Sequence, residues 1–230
     1  MNKNILLSPL IVWSFCCIAI FSVYSPGWYG PFVFDDQLNI LENQNVPIHQ
    51  LTEQEITRST LSNESGPLKR IIPALSFGLN YYFAEGFKPI YFKLTNIAVH
   101  CINSALVFWL LTLLWPCIAR MPWTQRTNIS NPRLVFAISG TLIWALHAFL
   151  LTSVLYVVQR MTSMASMFML MGVCIYVVGR LSLEEKPYQG LWLMCLGLIA
   201  GTVLGAACKE NALLLPVYIG VLEFTLLSQL

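Results

Sequence analysis

The sequence predicts an all-α, polytopic transmembrane helix bundle of about six spans, and three observations predict it. Hydrophobic residues make up 57% of the chain and charged residues 10%, against roughly 25% charged in a soluble domain. The apolar residues gather into six long runs. One long polar stretch separates the first run from the second, while the other connections are short. So little charge cannot coat a water-facing globule. A formal net charge of +2 also gives no basic surface on which nucleic acid would bind.

The runs cover residues 5–23, 94–115, 134–151, 161–179, 191–207 and 212–230. Each is long enough, or nearly so, to cross about 30 Å of hydrocarbon as a helix of roughly 20 residues. The first follows Lys3 but exceeds the usual apolar core of a signal peptide, and no small-x-small cleavage site follows it cleanly, so it reads as an uncleaved span. A shorter apolar stretch at 71–83 contains Gly78 and Asn80. It is too short to span and reads as an interfacial or re-entrant helix. The whole chain, 1–230, then forms a single transmembrane domain, with 24–93 as its first outer loop.

Orientation follows from the short loops. Arg120, Arg126 and Arg133 follow the second run, Arg180 and Lys186 follow the fourth, and Lys3 precedes the first. The positive-inside rule places these in the cytoplasm. The 24–93 loop also carries five basic residues, but long loops escape the rule. Both termini are then cytoplasmic, and Asp35, Asp36, Arg70, His147, Gln159, Arg160, Lys209 and Glu210 meet at the outer face. Any one of these could be an anchor that snorkels to the interface, and Asp-Asp in a loop is commonly a turn or cap. Acids and bases gathered at one leaflet suit a reaction on a lipid head group.

Other polar features read as structural. Asn96, His100 and Asn103 share one face of the second run and are expected to hydrogen-bond inside the bundle, with cavity lining as the alternative. Gly197, Gly201 and Gly205 recur every four residues, a groove for close helix packing. The methionines crowded between Met161 and Met171 read as adaptable packing. Cys16, Cys17, Cys101, Cys117, Cys174, Cys195 and Cys208 sit in or beside the apolar runs. They show neither metal-ligand spacing nor a disulfide framework and read as small apolar fillers.

Five strings, in order, carry a family resemblance. They are Phe34-Asp35-Asp36 with Asn39; Ser65-Gly66-Pro67-Leu68-Lys69-Arg70 leading to the stretch from Leu75 to Phe83; Lys93-Leu94-Thr95-Asn96 with His100 and Asn103; Leu146-His147 followed by the stretch from Thr152 to Ser163; and Cys208-Lys209-Glu210-Asn211 ahead of Pro216. Together they resemble the membrane portion of GT-C type glycosyltransferases, most nearly the transmembrane and tetratricopeptide-repeat O-mannosyltransferases and their bacterial relatives. Ala148 and Phe149 stand where that pattern usually has Pro and Leu, and Ile71-Ile72 intervene before Pro73. The family has more spans and commonly a C-terminal helical-repeat domain, so the chain reads as the N-terminal part of a larger protein.

The resemblance implies a transferase in a bacterial inner membrane with its site facing the periplasm. The donor would be a sugar on a polyprenyl phosphate, and the acceptor a hydroxyl on a protein or glycan. Asp35 matches the family's catalytic position and would act as the base of an inverting transfer, with Asp36 orienting it or binding a divalent cation; no cofactor is otherwise implied. Arg160 would grip phosphate as a fork, Lys209 and Arg70 would add charge, His147 and Gln159 would orient phosphate or sugar, and Glu210 would bind there or pair with Lys209. Two other classes stay open: a noncatalytic membrane anchor for a repeat domain, and a transporter. The second ranks lower because transporters place ionisable groups near the midplane.

Overall fold

The computed structural model describes residues 9–121, 124 and 129–229. Lys3, Arg126 and the opening of the first run lie outside the described residues. The described elements are all helical, with no strand among them. The expected all-α membrane bundle is therefore the architecture found.

α1 (Pro9–Tyr24) is the first run. The long loop that follows carries α2 (Glu53–Thr60) and α3 (Ile71–Ala84). α4 (Pro89–Ile118) is the longest helix. α5 (Pro132–Ala145) and α6 (Leu151–Leu155) follow, then α7 (Arg160–Leu181), α8 (Pro187–Ala206) and α9 (Leu215–Thr225). The starts are legible locally. Pro89, Pro132 and Pro187 occupy the first turns of their helices, where a missing N–H costs nothing. Thr52 caps α2 and Asn131 caps α5 through side-chain oxygens, as short polar caps do.

α4, α8 and the stretch Val157–Leu181 that contains α7 are long and apolar enough to cross a membrane. The third expected run breaks at Leu146-His147. α5 and the helical stretch Ala148–Leu155 meet there at 49° and together qualify as a fourth, broken span. The physical cause is local: His147 is extended and its Nδ1 accepts the Phe149 N–H, which starts a new turn. The first and last runs form the shorter helices α1 and α9, of 16 and 11 residues. α3, at 14 residues, is about 21 Å long at 1.5 Å per residue. It packs on α2 and on α4 and α7.

Neighbouring contacts fix the helix directions. α4 and α7 run the same way, since Asn96 meets Arg160 and Asn103 meets Ser163. α8 runs against α7. A Cβ on Gly197 would lie 2.5 Å from the Gly172 oxygen, and one on Gly190 would lie 2.7 Å from the Gly179 oxygen. In the glycine groove expected in the fifth run, Gly197 and Gly201 thus meet Gly172 of α7, while Gly205 packs against Ala212 and Ala165. α5 opposes α4, with Gly140 against Leu111 and Ala145 against His100. α9 follows α7, with Leu215 beside Gly172 and Glu223 bonded to Tyr176 and Arg180. One end of the bundle therefore gathers the long loop, the 146–160 segment and the chain around Lys209. The other gathers Arg120, Arg133, Arg180 and Lys186.

Inside the bundle the polar face of α4 is tied largely to backbone, though Asn103 Oδ1 is buried without a hydrogen-bond partner. Asn96 Nδ2 donates to the Tyr156 and Val157 carbonyls, His100 Nε2 lies 2.9 Å from the Ala145 oxygen, and Asn103 Nδ2 donates to the Ser163 carbonyl. These are interhelical ties of the structural kind. All seven cysteines are free thiols, five of them buried.

Candidate functional site

The site is built on the stretch from Tyr156 to Thr162, where the chain leaves a short 3-10 turn and enters α7. Each sequence-expected group at this end is tied to that stretch, directly or through one neighbour, except His147.

Asp35 and Asp36 part company. Asp36 is fully buried. Its Oδ1 accepts the Val158 N–H at 2.7 Å and its Oδ2 accepts the Val33 N–H at 3.1 Å. Burial raises its pKa, while those N–H bonds and the Lys93 charge act the other way. Asp35 is exposed. Its backbone N–H donates to the Tyr156 phenol oxygen at 2.8 Å, and its carbonyl accepts from Asn39 Nδ2 at 2.9 Å. Phe34, just before the pair, sits at φ 47°. That left-handed conformation is a strained one for an aromatic residue, and such strain persists only where surroundings over-determine it. Here the Asp36 carboxylate on one side and Tyr156 on the other do so.

The cations form a second cluster. Lys209 is half-buried, and its Nζ donates to Thr162 Oγ1 at 2.7 Å. Thr162 in turn donates to the Gln159 Oε1 at 2.7 Å. Arg70 pairs with Glu210 at 3.2 Å and also touches the Met161 sulfur. Lys69 and Arg70 are both left-handed, at φ 52° and 46°, and this turn presents Arg70 toward Glu210. Gly66, at φ +80°, has the left-handed backbone that favours glycine, and a Cβ there would push the Glu210 carboxylate aside. Burial, and then the nearby Arg70 charge, lower the Lys209 pKa, with Glu210 opposing. Burial acts to raise the Glu210 pKa, but the Arg70 hydrogen bond and the Arg70 and Lys209 charges hold it below the usual carboxylate value.

Arg160 lies beneath both clusters, fully buried. Its Nε donates to Asn96 Oδ1 at 2.7 Å, one terminal nitrogen to Ser76 Oγ at 3.0 Å and the other to the Phe92 carbonyl at 2.8 Å. Its guanidinium carbon sits 4.6 Å from the Phe77 ring centre, a cation–π distance. The expected phosphate fork is thus turned inward onto protein acceptors. His147 is exposed and caps the turn at the α5–α6 bend.

Sequence reasoning passed over two groups. Tyr156 lay inside a quoted string, but its grip on Asp35 spans 121 positions and left no local signal. Lys93 is nearly buried, and its Nζ donates to the Gly27 and Gly30 carbonyls at 3.0 and 2.8 Å. It pins the turn after α1 to α4. An apolar cavity of about 290 Å³ opens beside these residues, with Phe34, Lys93, Leu155 and Tyr156 in its wall.

The Asp35/Asp36 pair does not fit a divalent cation. Both Asp36 oxygens are already engaged by backbone N–H groups, and among the described residues no group of three His, Cys, Asp or Glu side chains could hold a metal.

Fold and site together define an integral membrane helix bundle with a polar, cation-bearing end. Over 197 residues the chain is 27% identical to the mouse protein named Protein O-mannosyl-transferase TMTC4, which covers 83% of this chain and 26% of that protein. The human protein of the same name matches over 196 residues at 27%. The fruit-fly Protein O-mannosyl-transferase Tmtc2 is 35% identical over 98 residues, 40% of this chain and 10% of that protein. The chain spans about a quarter of the length of the first two relatives. The resemblance to the transmembrane and tetratricopeptide-repeat O-mannosyltransferases is thereby borne out. No protein-family model matches the chain, and no solved structure does.

Proposed function

We propose that this chain forms the membrane site of a glycosyltransferase, which moves a sugar from a polyprenyl-phosphate donor to a hydroxyl on a protein Ser or Thr. The observation that carries this reading is the placement of Asp35. It is an exposed carboxylate, held by Tyr156 and braced by Asp36, at the end of the bundle that bears Lys209 and Arg70. The names of the mammalian relatives support mannose as the sugar and protein as the acceptor.

In this reading the acceptor hydroxyl gives its proton to the Asp35 carboxylate as its oxygen attacks the anomeric carbon. The bond from that carbon to the phosphate oxygen breaks, and the phosphate leaves with the electron pair. A single displacement inverts the anomeric centre. Lys209 keeps donors beyond the one that Thr162 accepts, and it stabilises the departing charge together with Arg70. Fixed cations are strongest in a water-poor site. Gln159, joined to Lys209 through Thr162, orients the phosphate. Arg160 holds Asn96, and through it the Tyr156–Val157 backbone, in place. The basic residues at the opposite end support a site on the non-cytoplasmic face, in this reading the periplasmic face of a bacterial inner membrane.

The test uses the full-length protein in liposomes with polyprenyl-phosphate-linked mannose and a Ser/Thr acceptor peptide. Asp35→Asn keeps shape but cannot take the proton. Its turnover is expected to fall by about 10²–10⁴-fold, the usual worth of a general base, with donor binding unchanged. An Asp35→Asn variant that transfers at the original rate would remove this reading.

A further inference from the structure

We propose that Tyr156 is the positioning residue of Asp35, and that its phenol acts on turnover rather than on substrate binding. The inference rests on the transferase reading above. Three observations carry it. The phenol oxygen accepts the Asp35 N–H at 2.8 Å, so its own proton remains to be donated. Asn39 Nδ2 donates to the Asp35 carbonyl at 2.9 Å, so the Asp35 backbone is held on both sides, by Asn39 and by the phenol. The Tyr156 ring meets Phe34 edge-on at 6.1 Å and lines the apolar cavity.

Tyr156 is itself held from behind. Asn96 accepts from Arg160 and donates to the Tyr156 carbonyl, and Asp36 ties Val158, two residues on, back to Val33. The phenol is therefore the last link between a rigid buried network and an otherwise exposed carboxylate. A free Asp in solvent samples several staggered rotamers. A phenol that accepts the Asp35 N–H fixes the backbone from which that carboxylate is presented to the hydroxyl. A proton-accepting group misplaced by about 1 Å loses on the order of 10²-fold in rate.

The experiment replaces Tyr156 in the full-length protein and separates kcat from KM in the same mannose-transfer assay. Tyr156→Phe keeps the ring, the Phe34 contact and the cavity wall while removing the hydrogen bond from the Asp35 N–H. The expected result is a fall in kcat of about 10- to 100-fold with an unchanged KM for the donor. An unchanged kcat, or a rise in KM alone, would overturn the inference. Should Tyr156→Phe not fold, 3-fluorotyrosine at position 156 supplies the second readout. It keeps the hydroxyl but ionises at lower pH, and an ionised phenol, 2.8 Å from the Asp35 nitrogen, sets a second negative charge beside the Asp35 carboxylate. The alkaline loss of kcat is expected to move to lower pH, and a limb that stays in place would equally overturn the inference. Asp35→Asn run alongside separates the two ideas. An inactive Asp35→Asn variant beside a fully active Tyr156→Phe variant removes only the role of Tyr156, whereas an active Asp35→Asn variant removes the transferase reading beneath it.

Discussion

Arg160 shows what a buried charge does when every acceptor around it is built in. Three donors meet Asn96, Ser76 and Phe92, which lie 64, 84 and 68 positions away in the chain. Each hydrogen bond to a charged group is worth about 1.5–3 kcal/mol, and an acceptor left bare adds its desolvation cost. Arg160→Ala is therefore expected to lower the unfolding free energy by about 3 kcal/mol or more, read from unfolding in detergent. Arg160→Lys should recover little of this, because one ammonium cannot serve acceptors arrayed around a planar fork. An arginine whose only role was to meet donor phosphate would leave unfolding unchanged. From sequence, a cation at the mouth of an apolar run reads the same whether it faces lipid phosphate or the core. The partners that decide between the two come from α3 and α4, and no local pattern announces them. Asp35 and Asp36 were equally visible as a pair. Their division into an exposed carboxylate and a buried brace depends on Val158 and Tyr156, more than a hundred residues downstream.

At the scale of elements, α7 and α8 are joined along a seam with no side-chain layer between the backbones. A Cβ at Gly201 would lie 2.9 Å from the Gly172 Cα and 2.8 Å from a Leu215 methyl. Gly201→Val is thus expected to force the helices apart at a cost of about 1–3 kcal/mol, the usual cost of overpacking. It should also disturb Lys209, which follows α8 by three residues. Gly220 meets nothing within 4 Å, so Gly220→Ala should leave the unfolding midpoint unchanged. This seam was legible in the sequence because spacing by four is a property of one helix and needs no knowledge of its partner. The break at His147 was not legible. Composition runs apolar straight through it, and the bend depends on an imidazole capping its own chain two residues on. A third element-level tie joins the loop turn at Gly66 and Arg70 to Glu210. Glu210→Gln should weaken the Arg70 ion pair and raise the rate of tryptic cleavage after Arg70; an unchanged rate would show that the turn holds without it.

Across the whole molecule, the basic residues of the described short loops gather at one end. α7 carries Arg160 at its start and Arg180 near its finish, 20 residues apart, or about 30 Å along a helix, which is the thickness of the hydrocarbon core. The far end has its own closed arrangement: Arg180 pairs with Glu223 at 3.2 Å, and Tyr176 donates to the same carboxylate at 2.9 Å. Glu223, which had no role in the sequence reading, belongs there as the partner of a basic loop. A bundle sorted this way has one insertion that satisfies the positive-inside rule: Arg120, Arg133, Arg180 and Lys186 in the cytoplasm, and the Asp35 loop outside. A phosphatase reporter fused after Glu55 is therefore expected to be active, and one fused after Glu184 inactive. A fluorescent reporter that matures only in the cytoplasm should give the opposite pattern. α7 separates the two fusion points, so equal signals at both would contradict the bundle itself. Reversed signals would keep the bundle and turn it over, placing Asp35, Lys209 and Arg70 on the cytoplasmic leaflet, where the donor would have to be presented from the inside.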